Sequence, residues 1–442
     1  MLKGKRVVVV GLGLSGVAAG RLCLKRGARV VGVDRKALAE LGAAAAQFVA
    51  DGGEVAADSE RDRLVDEADV VVVSPGVPPF AALSDAERRG AAIWSEVELA
   101  TRELARPAPI VAVGGTNGKS TTTSLLGELF VAAGMKTFVG GNLGEPLSLH
   151  VDEPWDVVVL EVSSFQMERV DTFHARAAIL LNVTPDHLDR YDSFHSYAAA
   201  KGNAFRRQGP ADLAVVPFGD EVCLHQARRG GARLTTFGAG GDIDVTAEAI
   251  VVRATAEIFA PDEIALTGAH NAQNVAAALA VAFDMGVSSK AARQVLASFA
   301  GLAHRMAFVR AVGGVRYYDD SKGTNVGASV TALLGVPEPK AVLIAGGVDK
   351  GGSYAPLAEA LSQKGRAVVL MGQAAPLLAA AIGQRVPVHQ AASMNDAVKK
   401  AQELAQPGDC VLLSPACSSF DMFRDYKDRG DAFVRAVKGL GG

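Results

Sequence analysis

No stretch of this chain is long and apolar enough to cross a bilayer as a helix, which argues against an integral helical membrane protein. Lys3, Lys5 and Arg6 ahead of an apolar run to Ala19 resemble a secretory leader, but three glycines inside the run and a strand after it favour a folded βαβ opening. Cysteine is scarce. Cys23, Cys223, Cys410 and Cys417 make no CxxC and no zinc spacing, so reduced structural thiols in a cytoplasmic protein are expected. Excess charge is also lacking: the formal net charge is −3, which offers no electrostatic case for nucleic acid or a membrane surface as partner. What remains is 442 residues, 49% hydrophobic and 21% charged, enough for two to four globular domains.

The most informative stretch runs from Pro109 to Thr123. An apolar, β-branched run meets glycines, then Lys-Ser, then an amphipathic segment from Ser124 to Ala133, which reads as strand, anion-binding loop and helix. Backbone N–H groups of Gly115, Thr116, Asn117 and Gly118 can close on phosphate oxygens, Lys119 adds a point charge, and Ser120, followed by Thr121, offers a hydroxyl to Mg²⁺. The loop is one residue tighter than the general Walker spacing, whose first glycine would fall at Val113.

Residues 1–97 form the first expected domain. Val7 to Val10 is a buried strand, Gly11-Leu12-Gly13-Leu14-Ser15-Gly16 opens a helix reaching Arg26, and a second strand from Arg29 ends at Asp34. Taken alone this is a dinucleotide fingerprint, but physically it licenses only a diphosphate at a helix N-terminus. A strand from Asp69 to Val73 closes on Ser74-Pro75-Gly76, either a ligand-facing edge or a plain tight turn.

Residues 98–301 form the second. Gly140-Gly141-Asn142-Leu143-Gly144 precedes a strand from Trp155 to Leu160 that runs into Glu161, where a carboxylate could ligate nucleotide-bound Mg²⁺ or cap the next helix. A strand from Ala177 to Leu181 ends at Asn182, and His187 follows between Asp186 and Asp189, either an exposed turn histidine or a metal or substrate ligand. By composition Lys201 is a solvated lysine on a helix. The segment from Asp242 to Ala265 alternates like antiparallel strands, giving a mixed sheet. Asn271 and Asn274 share one face at the start of a helix from Ala276 to Met285, suited to a base edge or to capping.

Residues 302–442 form the third, after a hinge at Gly301. Strands at Val315 to Tyr318, Ala341 to Ala345, Ala367 to Met371 and Cys410 to Ser414 alternate with helices and imply a mostly parallel sheet. Three polar clusters, from Asp319 to Asn325, from Gly346 to Gly351 and from Ser414 to Asp421, fall at strand ends and mark a ligand face.

Ten stretches in this order resemble the Mur ligases over essentially the whole chain: GLGLSG at Gly11, SPG at Ser74, GGTNGKSTT at Gly114, GGNLG at Gly140, EVSSFQ at Glu161, NVTPDHLDRY at Asn182, HNAQN at His270, GLAHR at Gly301, DSKGTN at Asp320 and SPACSSFD at Ser414. The chain departs from the usual pattern at Ala303, at Gly323, where alanine is common, and at Lys36, where arginine is common. The resemblance implies an α/β protein of three domains: a Rossmann-like N-terminal domain, a central P-loop ATPase-like domain with a mixed sheet, and a Rossmann-like C-terminal domain. It is strongest to the branch that adds D-glutamate to UDP-N-acetylmuramoyl-L-alanine in peptidoglycan precursor synthesis, and hence to cell-wall growth, shape and division.

Carried onto this sequence, the resemblance implies that Leu14, Ser15, Asp34, Lys36 and Gly76 hold the UDP group, with Asn142 and His187 at the muramoyl-alanine part. It puts Asn271 and Asn274 near adenine, with Arg305, Asp320 and Lys322 on the nucleotide, and gives D-glutamate to Thr324, Lys350, Ser419, Phe420 and Tyr426. It also implies two Mg²⁺ ions, one at Ser120 and Glu161 and one at His187 and a carbamylated Lys201, which reverses the reading of Lys201 from composition. ATP would first phosphorylate the acceptor carboxylate, the amine of D-glutamate would displace phosphate, and ligand binding would swing the third domain onto the central one. A monomer is expected. The rivals from other classes are an NAD-dependent oxidoreductase and a non-catalytic P-loop binding or switch protein; within the ligase class they are a folylpolyglutamate synthetase-type ligase and a Mur ligase adding another amino acid.

Overall fold

The computed structural model describes residues 2–187, 190–350 and 353–441; Asp189 and Gly351, both part of clusters named above, lie outside the described residues. Three sheets carry the described residues. Contacts divide it into two compact units, one of Met1–Val183, His195–Glu263 and Asn274–Ala297, the other of Thr184–Phe194, Ile264–Gln273 and Ser298–Gly442.

In the first unit, β1 (Arg6–Val10), β2 (Arg29–Asp34), β3 (Glu54–Ala57), β4 (Val70–Val73) and β5 (Ala92–Trp94) form a parallel sheet in the order β3-β2-β1-β4-β5. The order reverses beside β1, so the GLGLSG loop emerges at the switch point, where ligands bind in such sheets. The helix Glu96–Arg102 then leads into the second sheet. Its Glu98 is fully buried, yet its oxygens accept from the N–H groups of Asp171, Thr172 and Phe173 at 2.9–3.0 Å and pair with Arg102. A buried carboxylate satisfied this completely fixes the connection without stranding a charge.

The second sheet comprises β6 (Ile110–Gly114), β7 (Thr137–Gly141), β8 (Val157–Glu161), β9 (Ala177–Leu180), β10 (Leu213–Pro217), β11 (Arg233–Phe237), β12 (Ile243–Val245), β13 (Ile250–Val252) and β14 (Glu257–Phe259), ordered β14-β13-β12-β11-β10-β9-β6-β8-β7. It is parallel from β7 to β12, and the last two strands run antiparallel, so the sheet is mixed as expected. Val113 on β6 sits in register with Glu161 on β8, which brings that carboxylate beside the glycine-rich loop.

The second unit holds β15 (Ala307–Val312), β16 (Val315–Asp319), β17 (Ala341–Gly346), β18 (Gly365–Met371), β19 (Val388–Gln390) and β20 (Cys410–Leu413), ordered β15-β16-β20-β17-β18-β19. Alternation along β17 divides the core: Leu343 and Ala345 pack on one face, Val342 and Ile344 on the other. The edge strand β15, antiparallel to β16, is not foreseen by the motifs, since its FVRAV stretch is only partly buried. Two helices begin earlier than expected, at Lys119 rather than Ser124 and at Ala269 rather than Ala276.

Candidate active site

The loop between β6 and the helix Lys119–Ala132 is held by its neighbours' polar groups. Gly118 has φ +87°, and a Cβ there would stand 2.4 Å from Asn274 Oδ1, so both conformation and space require glycine. Asn182, just past β9, clamps the loop from the far side. Thr116 N donates to Asn182 O at 3.0 Å, Asn117 N donates to Asn182 Oδ1 at 2.9 Å, and Asn182 Nδ2 donates to Asn117 O at 3.1 Å. The motif contains Asn182, but only its place at a strand end beside the loop signals this role.

Lys119 opens the helix, whose first turn carries no acidic residue. Its Nζ donates to Gly115 O at 3.0 Å and to Thr116 O at 2.7 Å. Lys201 Nζ donates to the same Gly115 oxygen at 2.8 Å and lies 4.5 Å from the centroid of the Tyr197 ring, whose hydroxyl meets Thr116 Oγ1 at 3.1 Å. The expectation of a solvated Lys201 is therefore corrected: its residue is 5% exposed. Tyr197 and Lys201 stand one turn apart on the helix Phe194–Gly202, on the face turned to the loop. Two ammonium groups on one carbonyl, within about 6 Å of each other, suit a polyanion in the loop.

Beside them Ser120 Oγ donates to Glu161 Oε2, and Asn142 Nδ2 donates to Glu161 Oε1 at 2.5 Å. Ser120 and Glu161 are both buried. Among the described residues no three His, Cys, Asp or Glu groups converge on a metal position. The hydroxyl and carboxylate fit Mg²⁺, which binds few protein oxygens and takes its other ligands from phosphate and water.

The first glycine-rich loop is built differently. Asp34 Oδ2 accepts from Leu12 N at 2.7 Å and Oδ1 from Lys36 N at 3.0 Å, so both carboxylate oxygens serve the backbone. Ser74 Oγ donates to Gly11 O at 2.7 Å, so SPG is joined to GLGLSG rather than being an isolated turn. A Cβ on Gly16 would lie 1.9 Å from Gly11 O, which explains that glycine. Leu14 is exposed at the start of its helix, beside the partly exposed Ser15, and the Lys36 side chain is exposed; a Cβ on Gly76 would meet nothing within 4 Å.

In the second unit, His187 has φ +55°; its N donates to Asp186 Oδ1 at 3.0 Å, and Asn325 Nδ2 donates to Asp186 Oδ2 at 3.2 Å. Asn271 Nδ2 turns back to Thr267 O at 2.8 Å. Asp320 accepts from Ser414 Oγ at 2.7 Å, and burial pushes its carboxyl up to about 7 against the opposing pull of that bond and of Arg305. A Cβ on Gly323 would press within 2.4 Å of Asp320 Oδ2, so the departure from alanine fits this packing. Lys322 Nζ lies 3.9 Å from the centroid of the Tyr426 ring, and Lys350 Nζ donates to Thr324 Oγ1 at 3.3 Å. Ser419 is buried and Phe420 beside it is 74% exposed. Arg429 is a residue the motifs miss: buried, it donates to Ser321 Oγ at 3.0 Å, Ser321 O at 2.9 Å and Cys417 O at 3.2 Å. Its spacing with Phe433 and Val437, an arginine on an apolar stripe, is the signal that points to it.

Family models match three consecutive parts of the chain: the Mur ligase MurD-like N-terminal domain over residues 5–95, the Mur ligase middle domain over 113–282 and the Mur ligase glutamate ligase domain over 304–417. The UDP-N-acetylmuramoylalanine–D-glutamate ligase of Syntrophotalea carbinolica is 42% identical over 99% of this chain and 98% of its own length, and that of Geotalea uraniireducens is 44% identical over 99% and 98%. The crystal structure of the UDP-N-acetylmuramate–alanine ligase of Thermotoga maritima shares the fold, with a TM-score of 0.61 and 18% identity over 98% of this chain and 99% of its own. Identity at this level, sustained from end to end, makes the chain a member of the Mur ligase family, in its UDP-N-acetylmuramoylalanine–D-glutamate ligase branch.

Proposed function

We propose that this protein joins the amine of D-glutamate to the carboxylate of UDP-N-acetylmuramoyl-L-alanine at the expense of ATP, releasing ADP and phosphate, in cytoplasmic peptidoglycan precursor synthesis. The observation that carries this reading is the identity of 42% along 99% of the chain to a relative bearing that activity's name. A carboxylate is a poor electrophile. Transfer of the γ-phosphoryl group onto it gives an acyl phosphate, and attack by the neutral amine then forms the amide and expels phosphate. Neutralising the amine costs about 1.4 kcal/mol for each unit by which its pKa exceeds the pH, so no strong base is needed. Most of the catalysis is positioning and charge neutralisation.

In this reading the N–H groups from Gly115 to Gly118, with Lys119 and Thr121, hold the triphosphate. Lys119 leaves its two loop carbonyls to meet the β and γ oxygens. Ser120 and Glu161 would hold one Mg²⁺, and His187 with a carbamylated Lys201 a second; these ions supply positive charge against the transferring phosphoryl group. Asn271, Asn274, Arg305, Asp320 and Lys322 serve the nucleotide. Leu14, Ser15, Asp34, Lys36, Gly76, Asn142 and His187 serve the UDP substrate, and Thr324, Lys350, Ser419, Phe420 and Tyr426 serve D-glutamate, with Lys350 pairing a carboxylate. The domains are taken as 1–97, 98–301 and 302–442, acting in a monomer.

The test is ADP release over a panel of amino acids and UDP-linked acceptors. Release should require both D-glutamate and UDP-N-acetylmuramoyl-L-alanine; release without either, or with another amino acid alone, would overturn the reading. For the carbamate, activity and crystal density at Lys201 should both respond to bicarbonate.

A further inference from the structure

Tyr354 precedes the helix Ala355–Lys364 on the third sheet and is buried, yet its hydroxyl is fully engaged. It donates to Asp349 Oδ1 at 2.6 Å and lies 3.2 Å from Cys417 Sγ. A phenol has one proton. The short bond to a carboxylate takes it, so the Cys417 thiol donates to the phenol oxygen. Burial raises the Cys417 thiol to about 11, leaving its proton in place at neutral pH.

The two partners belong to different strand-end loops. Asp349 follows β17 and precedes Lys350; Cys417 follows β20 and precedes Ser419 and Phe420. The same loops meet backbone to backbone, Val348 N donating to Ser418 O at 2.9 Å and Ser418 N to Val348 O at 3.1 Å. Gly347, at φ +135°, leaves no room between them, since a Cβ would lie 2.0 Å from Ser418 O. Tyr354 therefore closes a second tie across this bridge, one residue before Lys350, whose Nζ reaches Thr324 Oγ1.

We propose that Tyr354 is a positioning residue for amino-acid recognition: through Asp349 and Cys417 its hydroxyl sets the relative placement of Lys350, Thr324 and Ser419. This rests on the assignment of those three residues to D-glutamate. Hydrogen bonds to a carboxylate are the strong ones in such a network, and losing one lets the loop that carries the lysine drift by tenths of an ångström, enough to weaken a charge-paired ligand.

The experiment is steady-state kinetics of Tyr354→Phe, which keeps the ring and removes only the hydroxyl, with D-glutamate, ATP and the UDP substrate varied in turn. The KM for D-glutamate should rise by about fivefold or more, with the KM for ATP and for the UDP substrate within twofold of the parent. Asp349→Ala should give the same pattern, and the double variant should add little to either single change. Cys417→Ser, which keeps a donor, should stay near the parent, whereas Cys417→Ala should fall between. An unchanged KM for D-glutamate in Tyr354→Phe, or equal rises in all three constants, overturns the proposal. If Tyr354→Phe does not fold, Asp349→Ala and the Cys417 pair carry the same test. Parent protein that releases no ADP with D-glutamate would instead overturn the functional reading itself.

Discussion

Two glycine-rich loops of the first unit, GLGLSG and GGTNGKS, look alike in sequence and are electrostatic opposites in structure. Both follow a buried valine-rich strand and open a helix without an acidic first turn. The first is braced by a carboxylate, Asp34, whose two oxygens take backbone N–H groups. The second has Lys119 and Lys201 meeting on Gly115 O, with a hydroxyl and a carboxylate beside them. A helix N-terminus alone suits the two charges of a nucleoside diphosphate linkage; a lysine on the loop and a hard oxygen pair suit a triphosphate with its metal. In the proposed function the surroundings of each glycine loop, not its spacing, set which nucleotide it would serve.

Breaking the second loop should cost most. Lys119→Ala should lower kcat/KM by at least about 100-fold, the scale of losing one preorganised donor to a developing charge, with binding of the UDP substrate unchanged by calorimetry. Unchanged turnover would reject the assignment. Gly118→Ala forces a side chain into the left-handed region and against Asn274, so ATP affinity should fall by between about 10- and 100-fold. The comparison sharpens from the other side with Asp34→Asn. An amide oxygen can replace only one acceptor, so the KM for the UDP substrate should rise by about tenfold while that for ATP holds. Ser74→Ala removes a single neutral bond to Gly11 O, and the same split should appear at roughly fivefold. Equal effects on both nucleotides in either variant would mean that the loops do not act separately.

Local chemistry explains which features are legible in the sequence. Glycine loops, strand ends and the helix after Lys119 depend on a few neighbouring residues, so GLGLSG, GGTNGKS and Glu161 stand where their spacing puts them. Tertiary features were hidden for the converse reason. Lys201 looks solvated until the helix that carries it is seen with Tyr197 turned to the loop. Asn182 and Arg429 act through backbone groups distant in sequence, to which side-chain pattern is blind. The strand Ala307–Val312 is an edge, with one neighbour and a partly exposed face, so it lacks the continuous apolar run of the central strands. Asp34 is visible as an acidic residue about twenty positions after a glycine motif, but the two backbone N–H groups it accepts are not.

The central claim, that the Lys119 loop drives amide formation between two specific partners, is tested most directly by the release of ADP and phosphate from purified protein with ATP and Mg²⁺. Release that appears when both UDP-N-acetylmuramoyl-L-alanine and D-glutamate are present, and disappears when either is withheld, is the result the structure predicts. No release with both present, or release that proceeds equally with L-glutamate, would contradict it.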